Sequence, residues 1–161
     1  MPELASKPSD PFDLLVTNVV ALREKGNWST RALAEQAHVS RSSVVGLESG
    51  HTKLSLSIVD NLARALGVKT GSLFGKRPVV RDEADGLIEV VLAQNLVSAR
   101  KRMMLTQEKL SQQSGVNRAV IANIERRARN PSLPTLAKLA VALGLSLEAL
   151  LSDPRCNSTV S

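Results

Sequence analysis

Arginine and asparagine side chains in the second half of this sequence are the groups best suited to specific hydrogen bonding. Arg118 and Asn123 stand five positions apart. An arginine guanidinium can donate two hydrogen bonds to one guanine edge, and an asparagine carboxamide can bridge an adenine edge. From residue 100 to residue 129 the chain carries eight basic residues against two acidic ones, a surplus that suits a surface facing phosphates. These residues predict recognition of a nucleic acid, with a solvated charged surface as the alternative.

Residues for other kinds of chemistry are scarce. The two histidines, His38 and His51, are predicted to lie in a turn and a loop, and the single cysteine, Cys156, allows neither an intrachain disulfide nor a cysteine cage for a metal. The sequence has no glycine loop of the kind that cradles phosphates and no nucleophile elbow. We therefore expect no enzymatic activity, no cofactor and no bound metal.

Two short helices are predicted to position Arg118 and Asn123. Thr106 and Asn117 are good N-caps, and they predict helices over residues 107–114 and 118–125. In the first half of the chain Ser29 and Ser40 predict helices over residues 30–37 and 41–48 in the same way. Gly115 permits a left-handed turn between the two helices. The second helix is predicted to be held against its neighbours by the following apolar residues: Leu110, Val116, Ile121 and Ile124. This arrangement is the helix-turn-helix pattern.

The chain contains this unit twice, because residues 14–75 and 91–152 align without a gap at a constant shift of 77. A low aromatic content of 2% and the absence of tyrosine favour aliphatic helical bundles. We predict an all-α fold of two tandem five-helix domains, over residues 11–75 and 85–152. The proline-containing, charged segment 76–84 is predicted to be a linker.

Residues 105–110, 115–116, 124–133 and 139–145 resemble the corresponding segments of the lambda-repressor/Cro (XRE) family of helix-turn-helix proteins. The resemblance covers about 60 residues of the second copy, and a weaker version covers a similar span of the first. It implies a lambda-repressor-like fold and a transcription regulator, more often a repressor, that binds a double-stranded DNA operator sequence-specifically. Recognition helices 41–48 and 118–125 would then enter major grooves.

The same resemblance assigns roles in the second copy. In that family, the start of the first motif helix binds a phosphate and an adjacent base edge, the first turns of the recognition helix read bases, and the loop that follows binds phosphates. The matching residues here are Thr106 and Gln107, then Asn117, Arg118, Ala119 and Asn123, and finally Arg126, Arg127, Arg129 and Asn130. The resemblance also implies that Glu48 and Glu125 form structural ion pairs with Arg23 and Arg100.

The first copy departs from the family pattern. Thr30 stands where the second copy has Gln107, and His38 stands where it has Gly115. We expect His38 only to occupy the turn, since histidine enters the left-handed region more readily than most residues. The predicted DNA-binding residues of this copy are Thr30, Ser40, Arg41, Ser42, Ser43, His51 and Lys53. The alternative is a protein-interaction module that binds a protein partner, as in an antitoxin or antiactivator.

The net charge of +6 and the isoelectric point near 10.0 suit a polyanionic partner. No apolar run approaches the roughly 20 residues needed to span a bilayer, and residues 1–4 lack the features of a secretory signal. We expect a cytoplasmic, nucleoid-associated protein without membrane contact, of bacterial origin and plasmid or phage encoded.

A homodimer is expected. The long apolar first helices, which carry Phe12 and Leu87, suggest contact between the two domains or between chains. Packing of these helices within their own domains is the alternative for the apolar surplus. A single chain could also act as a pseudo-dimer, because nine linker residues extend to roughly 30 Å and half-sites lie about 34 Å apart.

Overall fold

The computed structural model describes residues 10–154, so Cys156 lies outside the described residues. This part of the chain is α-helical, as predicted. The first half contains α1 (Pro11–Lys25), α2 (Thr30–Ala37), α3 (Arg41–Glu48), α4 (Leu56–Leu66) and a 3-10 helix (Gly71–Phe74). The second half contains α5 (Ile88–Arg102), α6 (Gln107–Ser114), α7 (Arg118–Glu125), α8 (Leu133–Leu143) and α9 (Leu147–Leu151).

Polar N-caps set the start of the four motif helices. The side chains of Ser29, Ser40, Thr106 and Asn117 accept hydrogen bonds from backbone N–H groups of α2, α3, α6 and α7. Each cap satisfies an N–H that the first turn of a helix leaves without a partner. The predicted starts of these helices are confirmed.

The turn between the motif helices is left-handed in both copies. His38 has φ 55° and Gly115 has φ 73°, so His38 takes the backbone conformation that glycine adopts at the corresponding position. Its side chain is exposed. The expectation that His38 occupies the turn is confirmed.

Each half surrounds an aliphatic core that holds its recognition helix from behind. Leu33 of α2, Val44 and Leu47 of α3, and Leu62 of α4 are fully buried in the first half. Their counterparts in the second half are also buried: Leu110, Ile121, Ile124 and Leu139. Because one apolar face of α3 and of α7 packs inward, the opposite face of each helix is left to solvent.

An arginine of the first helix in each half also anchors the recognition helix. Arg23 Nε donates to Glu48 Oε1 at 2.5 Å, and Arg100 Nε donates to Glu125 Oε1 at 2.7 Å. Each arginine also donates through Nη2 to the second carboxylate oxygen of the same glutamate. Donation to Glu48 raises the pKa of the Arg23 guanidinium above its ordinary value. Both predicted ion pairs are present.

The two halves pair through the loops before α4 and α8. Ser55 and Ser132 form an isolated antiparallel β-bridge. Leu56 N–H donates to the Pro131 carbonyl at 2.9 Å, and Leu133 N–H donates to the Leu54 carbonyl at 2.8 Å. The expected contact through the first helices is not the one that these bonds form.

The apolar residues that raised that expectation have different positions. Phe12 packs against the core cluster, whereas the side chain of Leu87, which directly precedes α5, is 61% exposed. The alternative explanation was that these apolar residues pack within their own domain. It accounts for Phe12 but not for Leu87.

The predicted linker folds against the first half instead of extending. Val80 forms a β-bridge with Val68, and Arg81 N–H donates to the Gly67 carbonyl at 2.9 Å. The Arg81 guanidinium also donates to the hydroxyl of Thr70 at 3.0 Å. A segment whose polar groups pair in this way does not act as a free tether.

Two further features concern residues 10–154 only. None of the helices in this range is long and apolar enough to cross a membrane. The range also contains no group of three or more histidine, cysteine, aspartate or glutamate side chains placed to hold a metal ion.

Candidate nucleic-acid interface

The first turn of α7 presents an open polar edge. Asn117, Arg118 and Ala119 are exposed, and Asn123, one turn further on, is half-buried. Ile121 and Ile124 lie on the opposite, buried side of the helix. The helix can therefore contact a large ligand through Arg118 and its neighbours without any rearrangement of the core.

Asn123 and Arg118, the two best candidates for reading bases, differ in whether another side chain already bonds to them. Arg126 Nη2 donates to Asn123 Oδ1 at 2.8 Å, which occupies the oxygen that adenine recognition would require as an acceptor. Because an amide oxygen has two lone pairs, a bidentate contact between Asn123 and adenine would share this oxygen with Arg126. Arg118 has no such competing bond among the described hydrogen bonds, so its guanidinium is the freer of the two candidate groups.

Gln107 lies at the start of α6 and is tied to the anchor of α7. Its Nε2 donates to Glu125 Oε2 at 2.9 Å, the same carboxylate that receives Arg100. Glu125 thus joins three helices at one point. In the first half Thr30 replaces Gln107, and the described hydrogen bonds to the Glu48 side chain come from Arg23.

Five of the predicted site residues line one concavity of about 740 Å³. They come from three segments of the second copy: Gln107, Asn117, Arg118, Ala119 and Arg126. Glu125 and the apolar residues Val97 and Ala122 complete the lining. The structure therefore brings together residues that the resemblance assigned separately to phosphate and base contacts.

The loop after α7 supplies three exposed guanidinium groups. Arg126, Arg127 and Arg129 are all exposed and follow the recognition helix within four residues. The predicted loop residue Asn130 is placed differently, because its side chain bonds to Ser57 of the first half through both Oδ1 and Nδ2. Asn130 therefore contributes to the contact between the halves in this structure.

Arg127 has a backbone conformation that arginine seldom adopts. Its φ is 60°, and the corresponding residue of the first half, Gly50, has φ 88°. A left-handed residue other than glycine costs about 1–2 kcal/mol, and strain of this kind often accompanies a functional site.

Replacing Arg127 with glycine is expected to stabilise the protein while weakening binding to DNA. Relief of strain, less the entropy cost of glycine, leaves a gain of about 1 kcal/mol, or roughly 2–4 °C in melting temperature for a chain of this size. Arg129→Gly is the matched control, because it removes the same charge at a residue without positive φ. Equal melting temperatures for the two variants would contradict the expectation.

The first copy presents a shorter polar surface. Arg41, Ser42, His51 and Lys53 are exposed, as is the N-cap Ser40. Thr30 and Ser43 are half-buried, and the hydroxyls of Ser42 and Ser43 lie 2.9 and 2.7 Å from that of Ser40. Arg41 is therefore the one long side chain on α3 among the residues predicted to contact DNA.

A pair of asparagines that no sequence motif predicted connects helices within each half. Asn18 Nδ2 donates to the carbonyls of Leu73 and Gly75, and Asn95 Nδ2 donates to those of Leu150 and Ser152. Each asparagine joins the first helix of its half to the last. The signal was available in the sequence, because Asn18 and Asn95 are related by the same shift of 77 as the repeat.

Sequence comparison assigns the family of this chain. A helix-turn-helix family model matches residues 19–73 and again residues 96–150. The chain belongs to the XRE-type helix-turn-helix family. Each matched range contains one recognition helix, α3 or α7, so the resemblance expected from the sequence is confirmed for both copies.

Two curated proteins and one solved structure are similar to parts of this chain. Control protein C.SmaI from Serratia marcescens is 43% identical over 65 residues, which are 40% of this chain and 77% of that protein. The immunity repressor protein of Bacillus phage phi105 is 36% identical over 64 residues, 40% of this chain and 44% of the repressor. The solved structure of the hypothetical transcription factor NHTF from Neisseria is 34% identical, has a TM-score of 0.43, and covers 48% of this chain and 86% of that chain. The two sequence matches are each about as long as one copy.

Proposed function

We propose that this chain is a sequence-specific DNA-binding transcriptional regulator that acts as a repressor. The observation that carries the proposal is the open edge of α7, where Arg118 projects from a helix anchored from behind by the Arg100–Glu125 pair. A recognition helix needs such a rigid support, since base contacts depend on precise placement of a few side chains.

The residues divide by the part of the duplex that they would contact. Arg118, Asn117, Ala119 and Asn123 face base edges in the major groove. The phosphate contacts of this copy come from the following residues: Thr106, Gln107, Arg126, Arg127 and Arg129. Phosphate contacts provide affinity and orientation, whereas base contacts provide sequence preference.

The direction of regulation is argued from the relatives. A control protein and an immunity repressor are among them, and a protein that fills a major groove at a promoter obstructs polymerase. The bacterial and phage origin of these relatives supports action at a bacterial nucleoid. Encoding by a plasmid or phage and the absence of enzymatic activity stay predictions. The homodimer also stays a prediction, and a single chain acting as a pseudo-dimer is its alternative.

A second candidate function concerns the first copy alone. Its recognition helix carries one arginine, and the side chain of Val45 on that helix is 43% exposed. An exposed apolar residue among short polar ones suits a protein partner better than a phosphate backbone. In that case Arg41→Ala would leave DNA affinity and its salt dependence unchanged.

Selection of bound sites from random duplex DNA tests the proposal. Wild type is expected to enrich one sequence, and Arg118→Ala is expected to lose preference at one base pair, with a loss of about 1–3 kcal/mol or roughly 5-fold to 150-fold in affinity for the preferred site. Lys138→Ala is the control, since it removes an equal charge from an exposed position on α8.

Two outcomes would count against this proposal. Equal weakening of Arg118→Ala on every sequence would demote Arg118 to a phosphate contact. Failure of the wild type to enrich any sequence would contradict sequence-specific regulation altogether.

A further inference from the structure

We propose that one chain is a complete operator-reading unit. Its two recognition helices would occupy two adjacent half-sites of different sequence, in one fixed orientation, with a single chain per operator. The inference rests on the proposed function, and it names the partner more closely: a non-palindromic duplex about two half-sites long.

The contact between the halves is symmetric. Ser55 pairs with Ser132, its own counterpart at the shift of 77. The flanking bonds, from Leu56 to Pro131 and from Leu133 to Leu54, are likewise exchanged by that shift. A contact in which each side offers the same groups is related by a twofold rotation, as in a symmetric dimer. The rotation that exchanges the halves therefore also carries α3 onto α7.

This contact favours the pairing of one first half with one second half. A Cβ built at Gly71 would lie 2.7 Å from the Leu151 carbonyl oxygen, and one at Gly75 would overlap the Glu148 carboxylate. The shift places Glu148 opposite Gly71 in the alignment and Ser152 opposite Gly75. Two second halves would therefore place the Cβ of Glu148 where Gly71 stands, against the Leu151 backbone. The Glu148 carboxylate beside Gly75 is the end of a flexible side chain and can move aside, so the backbone contact at Gly71 is the one that excludes this pairing.

The cap of α4 comes from the other half of the chain. Ser55, the N-cap of α4, makes no capping bond of its own. Asn130 supplies one from the second half, since Ser57 N–H donates to Asn130 Oδ1 at 3.1 Å. Two first halves would lose this bond, because Lys53 stands where the second half has Asn130.

The covalent connection between the halves also favours their pairing within one chain. The segment between Phe74 and Ile88 is short, and its residues 79–81 are paired with the first half. Such a connection gives the halves a high effective concentration for each other. Pairing within the chain is therefore favoured over pairing between chains, and it occupies the surface that a homodimer of the same geometry would use.

The two paired recognition helices differ in sequence, so their half-sites in the operator would differ too. Helices related by a twofold rotation in helix-turn-helix dimers read half-sites about 34 Å apart. Here one helix offers Asn117 and Arg118, whereas the other offers Ser40 and Arg41 at the corresponding positions. The second turns of the two helices also differ, because α7 has Asn123 where α3 has Gly46. Two such helices select different sequences, so the operator is not palindromic and the chain binds it in one orientation.

The first experiment measures stoichiometry with the full chain and the duplex enriched by selection. Native mass spectrometry is expected to show one chain per duplex, and the enriched site is expected to contain two unlike half-sites. Two chains per duplex, or a palindromic site, would overturn the inference and leave sequence-specific DNA binding intact. Enrichment of no sequence would overturn the proposed function and this inference together.

The second experiment assigns each half-site to a helix. Site selection with Arg118→Ala is expected to lose preference in one half-site only, and with Arg41→Ala in the other half-site only. Loss of preference in the same half-site for both variants, or no change for Arg41→Ala, would overturn the two-helix assignment.

The third experiment loosens the contact between the halves without altering either reading surface. Gly71→Ala is expected to lower affinity for the two-half-site duplex about tenfold, with little change on a duplex that carries one half-site. Gly86→Ala is the matched control, because a Cβ there meets only an ordinary contact at 3.8 Å from Val91. Circular dichroism checks that both variants remain folded, and equal affinities of folded Gly71→Ala and Gly86→Ala would contradict the role of the contact.

Discussion

Glu125→Ala is expected to lower the free energy of unfolding by about 3–5 kcal/mol, because it leaves a largely buried guanidinium without its partner. The side chains of Arg100 and Glu125 are only 14% and 9% exposed. Glu125 also accepts from Gln107, so the substitution removes hydrogen bonds to α5 and α6 at once. For a chain of this size the loss corresponds to roughly 6–20 °C in melting temperature.

Thermal unfolding followed by circular dichroism measures this effect. Glu48→Ala is the matched comparison, because Glu48 makes the same two bonds to Arg23 but lacks a partner equivalent to Gln107. We expect a smaller decrease for Glu48→Ala than for Glu125→Ala. An unchanged melting curve for Glu125→Ala would reject the stabilising role of the pair.

Asn18→Ala is expected to have an effect on stability of similar size. Asn18 is buried, and its amide group donates to two backbone carbonyls, those of Leu73 and Gly75, both at 2.9 Å. A buried acceptor left without a partner costs about 1–3 kcal/mol, so the two together cost roughly 2–6 kcal/mol. The segment around Phe74 would lose two hydrogen bonds that join it to α1.

Urea denaturation measures the loss as a lower midpoint. Asn95→Ala is expected to cost less, because Asn95 is half-buried and its carbonyl acceptors are more accessible to water. Asn61→Ala on α4 is the control, since no side-chain hydrogen bond of Asn61 is described. A midpoint for Asn18→Ala equal to that of the control would show that water replaces the lost bonds.

Local signals in the sequence determined the helices of both motifs. The N-caps Ser29, Ser40, Thr106 and Asn117 predicted the first residues of α2, α3, α6 and α7, and the structure places each helix there. A cap and its helix lie within four residues of each other, so the physical cause is contained in a short window of sequence.

The candidate site was predictable for the same reason only in part. Arg118 is exposed at the start of α7, as the helix-turn-helix pattern requires. The bonds of Asn123 to Arg126 and of Gln107 to Glu125 were not predicted, because they depend on side-chain rotamers and on the packing of α6 against α7. These bonds change which donors are available to DNA without changing which residues lie at the site.

The repeat by itself determined that the protein has two related reading units, but the tertiary structure decided how they are joined. The sequence left open a homodimer, a pseudo-dimer and an extended linker. Pairing of Ser55 with Ser132, the crossing cap from Asn130 and the folding of Val80 onto Val68 are contacts between residues distant in the chain. Their free energy depends on which surfaces meet, and no pattern within one copy encodes that meeting.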